Sequence, residues 1–122
     1  MNKIILVVDD EPAITRLLSL RLKHNNYDVL EASDGMECIK IASKELPDLI
    51  LMDIQMPHCD GLSAFHQLAE NKITKEIPVL FMTAFPKSDI INKVKSMGAK
   101  GCISKPFVSK DFEESIRMAL IS

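Results

Sequence analysis

The chain has 122 residues, 47% of them hydrophobic and 26% charged, and its 15 Lys plus Arg nearly balance 17 Asp plus Glu for a net charge of −2. That length suits one ordinary domain with a core to bury, and the mix excludes disordered, collagen-like and low-complexity chains. The charge balance argues against direct nucleic acid binding and against an anionic membrane surface, since both reward a basic face.

The first apolar run, Ile4–Val8, stops at Asp9, Asp10 and Glu11, too short for a signal peptide or a membrane span. Three cysteines, an odd number without a secretory signal, read as reduced thiols and so as a cytoplasmic chain. Four more strands are predicted at Tyr27–Ala32, Leu49–Met52, Val79–Met82 and, more weakly, Cys102–Ser104. Several of these runs are apolar at nearly every position, as strands covered on both faces are. Helical stripes lie between them. Ile14, Leu17, Leu18 and Leu22 follow Pro12 in the favoured first-turn position. Ile39, Ala42 and Leu46 follow the N-cap candidates Ser33 and Asp34 and stop at Pro47. Leu62, Phe65, Leu68 and Ala69 follow Gly61; Ile91, Val94 and Met97 end at Gly98, a helix-terminating glycine. Val108, Phe112, Ile116 and Leu120 recur every four residues with Ser109 as cap. Strand then helix, five times over, predicts a doubly wound α/β sheet with helices on both faces.

In such sheets sites form outside the carboxyl ends of the strands. Asp9, Asp10 and Glu11 close the first strand, Asp53 the third and Thr83-Ala84 the fourth, while the fifth runs into Lys105-Pro106. Carboxylates brought together there repel one another and raise each other's pKa values. With Asp9, Asp10 and Asp53 ionised and Lys105 protonated the cluster carries −2, which a hard divalent cation with oxygen ligands, such as Mg²⁺, offsets. Asp9-Asp10-Glu11-Pro12 is the wrong loop for a nucleotide or FMN phosphate, which needs glycines and free backbone N–H groups. A carboxylate beside a metal is, however, a competent nucleophile toward phosphorus. Asp53, alone at the end of the central strand, is the best placed acceptor, with Thr83 and Lys105 available to the phosphoryl oxygens and Asp9 and Asp10 to the metal.

Val7-Val8-Asp9-Asp10-Glu11-Pro12, Met52-Asp53-Ile54-Gln55-Met56-Pro57, Asp60-Gly61, Met82-Thr83-Ala84, Gly98-Ala99 and Lys105-Pro106-Phe107, in this order and spacing, resemble the receiver domain of bacterial two-component response regulators over the whole chain. The resemblance implies one receiver domain over residues 1–122, a flavodoxin-like (βα)5 three-layer sandwich with strand order 2-1-3-4-5. It implies that Asp53 takes a phosphoryl group from a sensor histidine kinase or histidine phosphotransfer protein. Asp10, Asp53 and the Gln55 backbone carbonyl would hold Mg²⁺ (or Mn²⁺), with Asp9 acting largely through water. Thr83 and Lys105 would touch the phosphoryl oxygens, and the Lys105-Pro106 peptide would be cis.

Two features set this chain apart. The family usually carries Tyr or Phe three residues before the lysine, where the ring swings inward as the threonine moves; here the residue is Cys102, too small for that relay. The resemblance also implies that Gln55 and Phe85 occupy the positions that vary within the family and tune acyl-phosphate lifetime, where an apolar Phe85 shielding the phosphorus would give a moderately long-lived state. Lys87, Lys93, Lys95, Lys100 and Lys110 gather toward the last two helices, which reads either as a solvated face or as a docking face for an acidic downstream protein. Cys38, Cys59 and Cys102 have no metal-binding spacing, and His24, His58 and His66 read as solvent-facing. The expected arrangement is a stand-alone signalling switch; the alternatives are a receiver portion of a longer regulator, a phosphorylation-independent interaction module, or a small phosphatase of the haloacid dehalogenase type.

Overall fold

Five short parallel strands, each followed by a helix, make up the computed structural model, which describes residues 2–56, 60–85, 87–105 and 109–121, with Ser109 and Lys110 described only by their place in a helix. The strands are β1 (Ile4–Val8), β2 (Asp28–Ala32), β3 (Leu49–Asp53), β4 (Val79–Thr83) and β5 (Gly101–Ser104). The helices are α1 (Pro12–His24), α2 (Gly35–Glu45), α3 (Gly61–Glu70), α4 (Ser88–Ser96) and α5 (Ser109–Ile121). The sheet order is β2-β1-β3-β4-β5, as the resemblance implied, and every pairing is parallel.

Alternate residues of each central strand feed two cores, which explains why these strands are apolar throughout. Leu6, Val8, Ile50, Met52, Val79 and Phe81 pack toward Cys38 and Ala42 of α2, Phe65 and Leu68 of α3, and Val94 of α4. Ile5, Val7, Leu49, Leu51, Leu80 and Met82 pack toward Leu18 and Leu22 of α1 and Phe112, Ile116 and Ala119 of α5. The product is a three-layer sandwich. No helix among the described residues is long and apolar enough to cross a membrane.

Local signals explain the helix ends. The Asp34 side chain accepts from the Glu37 N–H at 2.8 Å, and the Glu37 carboxylate accepts in turn from the Ser33 N–H at 2.7 Å, so Asp34 rather than Ser33 is the cap of α2. α4 ends as its glycine predicted. Gly98 sits at φ 103°, its N–H donates to Lys95 O, and the Ala99 N–H donates to Val94 O.

Several sequence expectations need correction. Leu17 is 56% exposed, and the buried face of α1 is completed by Thr15 and Ser19. Those hydroxyls are tolerated inside because Thr15 donates to the Pro12 carbonyl at 3.0 Å and Ser19 to Glu31 Oε2 at 2.5 Å. Leu46 is not part of the α2 stripe. It is the exposed left-handed cap at φ 49°, because Pro47 disfavours a helical conformation in the residue before it. Ala69 is exposed, and Ile90 rather than Ile91 packs against the core with Val94 and Met97. Tyr27 lies just outside β2, its N–H closing α1 on Leu22 O. β3, β4 and β5 each gain one residue over prediction, namely Asp53, Thr83 and Gly101. The Val108 and Ser109 side-chain expectations fall outside what is described.

The core assignment predicts unequal costs along one helix. Ile116→Ala, at a fully buried position, should lower stability by about 2–5 kcal/mol. Met118→Ala, at an exposed one, should change it by no more than about 0.5 kcal/mol. Urea midpoints at constant m-value check this; equal costs would contradict the burial of α5.

Candidate functional site

Register brings the acidic residues together. β1 and β3 run abreast with Val8 opposite Met52, so the next residues, Asp9 and Asp53, emerge side by side at the carboxyl edge. Across β4, Thr83 pairs with Ser104, which places Lys105 one step beyond the sheet on the far side of Thr83. The Lys105 N–H donates to the Thr83 carbonyl at 2.9 Å, fixing where its side chain starts.

The Lys105 ammonium donates to Asp9 Oδ2 at 2.7 Å and to Asp53 Oδ2 at 3.3 Å. Asp9 and Asp53 are buried, and Asp10 is exposed. The remaining oxygens are also engaged. Asp9 Oδ1 accepts from the Glu11 N–H at 3.0 Å, and Asp53 Oδ1 accepts from the Gln55 N–H at 3.3 Å. Burial pushes the Asp53 carboxyl above its ordinary value; the Lys105 charge opposes this and the Asp9 charge adds to it. For Lys105 burial works against the ammonium, but the hydrogen bond to Asp9 and the charges of Asp53 and Asp9 outweigh it and raise its pKa. The lysine is held charged by the acids that it bridges.

Asp9, Asp10 and Asp53 each offer an oxygen, and these oxygens lie within 4.8 Å of one another. The donor set is all carboxylate, one acid of the three is open to solvent, and one ammonium leaves negative charge in excess. That chemistry fits a hard divalent cation that keeps part of its water shell.

The other anticipated residues are placed less uniformly. Thr83 is buried, and its Oγ accepts from the Phe85 N–H at 3.1 Å, so the hydroxyl already braces its own loop. Ala84 is exposed, and Phe85, expected as a shield over Asp53, is 68% exposed and covers little. A surface-loop ring with no core pocket to fill stays in water. Cys102 is half-buried and lines a groove of about 400 Å³ with Lys95, Lys100 and Met118. Lys87, Lys93, Lys95 and Lys100 are exposed, whereas the Lys110 side chain is outside the description. His24 and His66 are exposed as expected. Pro57, His58, Cys59, Pro106 and the peptide between Lys105 and Pro106 lie outside the described residues. One relation was not read from the sequence: the shorter bond of Lys105 is to Asp9, not to Asp53. Counting charge in the cluster was the available signal.

Comparisons with known proteins bear on the family and the fold. A family profile described as the response regulator receiver domain matches residues 5–117. The alkaline phosphatase synthesis transcriptional regulatory protein PhoP of Bacillus subtilis is 40% identical over 122 residues, covering 98% of this chain and 49% of that protein. Sporulation initiation phosphotransferase F of the same organism is 32% identical over 120 residues, covering 98% of this chain and 95% of that protein. The structure of chemotaxis protein CheY4 of Vibrio cholerae superposes with a TM-score of 0.92 at 28% identity, covering 98% of this chain and all of that one. The chain thus spans about half the length of PhoP and nearly the whole length of the phosphotransferase.

Burial, and secondarily the Asp53 charge, pushes the Cys102 thiol from its ordinary 9.0 up to about 11. Thiolate is the reactive form, so the folded chain should be alkylated at Cys102 by iodoacetamide near pH 8 about 100-fold more slowly than the urea-unfolded chain. The rate should climb as pH approaches 11. Site-resolved mass spectrometry reads this, and a difference within about threefold would contradict the thiol environment.

Proposed function

This chain belongs to the response regulator receiver domain family of two-component signalling, and from that premise we propose that Asp53 is its phosphoacceptor and that residues 1–122 act as one phosphorylation switch. The observation that carries this reading is the meeting of Asp9, Asp10 and Asp53 within 4.8 Å, with Lys105 bridging two of them.

An Asp53 carboxylate oxygen attacks the phosphorus of a phosphohistidine on a sensor histidine kinase or phosphotransfer protein. The P–N bond breaks, its electron pair leaves with the imidazole, and an acyl phosphate forms on Asp53. Such transfer needs mainly positioning and neutralised equatorial oxygens. Lys105, already at 3.3 Å from Asp53, can turn its ammonium onto one of those oxygens while keeping Asp9. Thr83 can donate its hydroxyl proton to another while its Oγ still accepts from the Phe85 N–H. Asp10, Asp53 and the Gln55 backbone carbonyl, with Asp9 acting through water, are the groups that would hold Mg²⁺ or Mn²⁺, whose contribution there is to neutralise the phosphoryl charge.

Output leaves through α4, β5 and α5. Cys102 replaces the aromatic ring that would couple this face to Thr83, so the signal passes through the Thr83–Phe85 loop and backbone shifts, in attenuated form. Exposed Lys87, Lys93, Lys95 and Lys100 suit a downstream protein with an acidic surface. The odd cysteine count and the Cys102 thiol suit a cytoplasmic setting.

Acetyl phosphate with Mg²⁺ should add the mass of one phosphoryl group to the wild type, in a hydroxylamine-labile form, and none to Asp53→Asn. A folded wild type that acquires no labile adduct refutes the assignment. In NMR spectra recorded with and without beryllofluoride and Mg²⁺, large shifts are expected at Thr83 and Ala84, decaying before Cys102 and α4. Equally large shifts throughout Cys102 and α4 would mean that the relay survives without its ring.

A further inference from the structure

Gly61 is the first residue of α3, and its N–H donates to the Ile54 carbonyl at 2.8 Å, tying the helix to the chain just past Asp53. A Cβ built on Gly61 would overlap the Asp53 carbonyl oxygen and would stand 3.0 Å from Ile54 Cα and 3.2 Å from the Asp53 carbonyl carbon. These three nearest atoms are all backbone, so no side-chain rotation relieves the clash. Nor does an unusual backbone angle demand glycine here, since the positive-φ glycines are Gly98 and Gly101. Alanine is in general the better helix former. Helix propensity therefore opposes this residue, and close approach to the Asp53 backbone is what favours it.

We infer that Gly61 is a positioning residue for phosphoryl transfer: its missing side chain lets α3 seat against the Asp53–Ile54 peptide and so sets where the Asp53 carboxylate stands. The inference rests on Asp53 being the phosphoacceptor. β3 lies between β1 and β4, and the Ile54 N–H reaches Met82 O at 3.0 Å, so the peptide after Asp53 is the last one held by the sheet. Asp53 is bound by two long contacts, 3.3 Å to Lys105 and 3.3 Å to the Gln55 N–H, which hold its carboxylate loosely. Its position is thus governed by the main chain beneath it. A side chain at residue 61 must push either the start of α3 or that peptide. Asp60 secures the same seat, its carboxylate capping α3 on the Ser63 N–H at 2.8 Å.

A misplacement of about 1 Å can cost about 10²-fold in rate. Gly61→Ala should therefore slow acetyl-phosphate labelling of Asp53 at least about tenfold, at a temperature where circular dichroism shows it folded, with the loss in the saturating rate rather than in the half-saturating acetyl phosphate concentration. Thr74→Ala serves as the stability control, since it removes a buried bond to Leu68 O remote from the strand ends; it should melt earlier and label at the wild-type rate. A folded Gly61→Ala that labels like wild type, or a Thr74→Ala that slows equally, overturns the inference. If Gly61→Ala does not fold, Asp60→Ala, which loosens the seat without adding atoms, decides: a severalfold slower rate supports the inference, and an unchanged rate overturns it. A wild type that does not label refutes the phosphoacceptor reading instead. The crystal structure of Gly61→Ala, or of Asp60→Ala, then still judges the geometry: an Asp53 carboxylate displaced from Lys105 is expected, and one that superposes on the wild type overturns the inference.

Discussion

The site hangs on one lysine held between two buried carboxylates. Neighbouring strands in a sheet lie about 4.8 Å apart, and β4 separates β3 from β5. Lys105 must therefore reach past the end of Thr83's strand to meet Asp53, and further still to meet Asp9. Only a long side chain starting from a fixed point can do so, and the Lys105 N–H bond to the Thr83 carbonyl supplies that point. Burial already raises the Asp53 pKa, and the Lys105 charge is what opposes that rise. The parallel register, the strand order and the position of β5 are all needed to bring the three groups together.

The bridge also explains the charge distribution. A net charge of −2 over the chain conceals an edge where Asp9, Asp10 and Asp53 outnumber Lys105. A different face carries the exposed lysines 87, 93, 95 and 100. The acidic edge suits a divalent cation and a phosphoryl group, which together bring charges of both signs to a place that already has geometry for them. The basic face is exposed to solvent, as a surface available to another protein must be.

Most of the fold was legible because strands covered on both faces have a plain signature: Ile5–Val8, Leu49–Met52 and Val79–Met82 are apolar without a break. β5 was weaker in sequence because it is an edge strand, with Cys102 and Ile103 only half-buried. What escaped was set by partners distant in sequence. Ser19 is tolerated in the core because Glu31, on the neighbouring strand, accepts a hydrogen bond from its hydroxyl, and nothing near Ser19 announces that. Phe85 suggested a shield by its position two residues after Thr83 and its apolar ring, but exposure is a tertiary property and the ring is 68% exposed. Asp9, Asp53, Thr83 and Lys105 could be found from sequence because the strand-end rule turns one-dimensional position into proximity. Gly61 could be quoted as part of a motif, yet its contact with the Asp53 backbone is visible only as a distance.

Gly61 and Cys102 divide the molecule into a part that must stay still and a part that must move. Among the described residues Asp53 has only long hydrogen bonds of its own, so on the proposed reading the close seat of α3 would supply the rigidity that those bonds lack. A switch also needs an element with two arrangements of similar energy. The loop after Thr83 qualifies: Ala84 and Phe85 are exposed, and it is tied back by the Phe85 N–H on the Thr83 hydroxyl oxygen. That hydroxyl retains a proton to donate, so a new acceptor at Asp53 can draw Thr83 without first breaking the existing bond. An aromatic ring in place of Cys102 would amplify such a shift by filling one of two pockets. A half-buried thiol has no comparable volume to exchange, so under the proposed mechanism the size of the response would be limited by how far the Thr83 loop itself can travel.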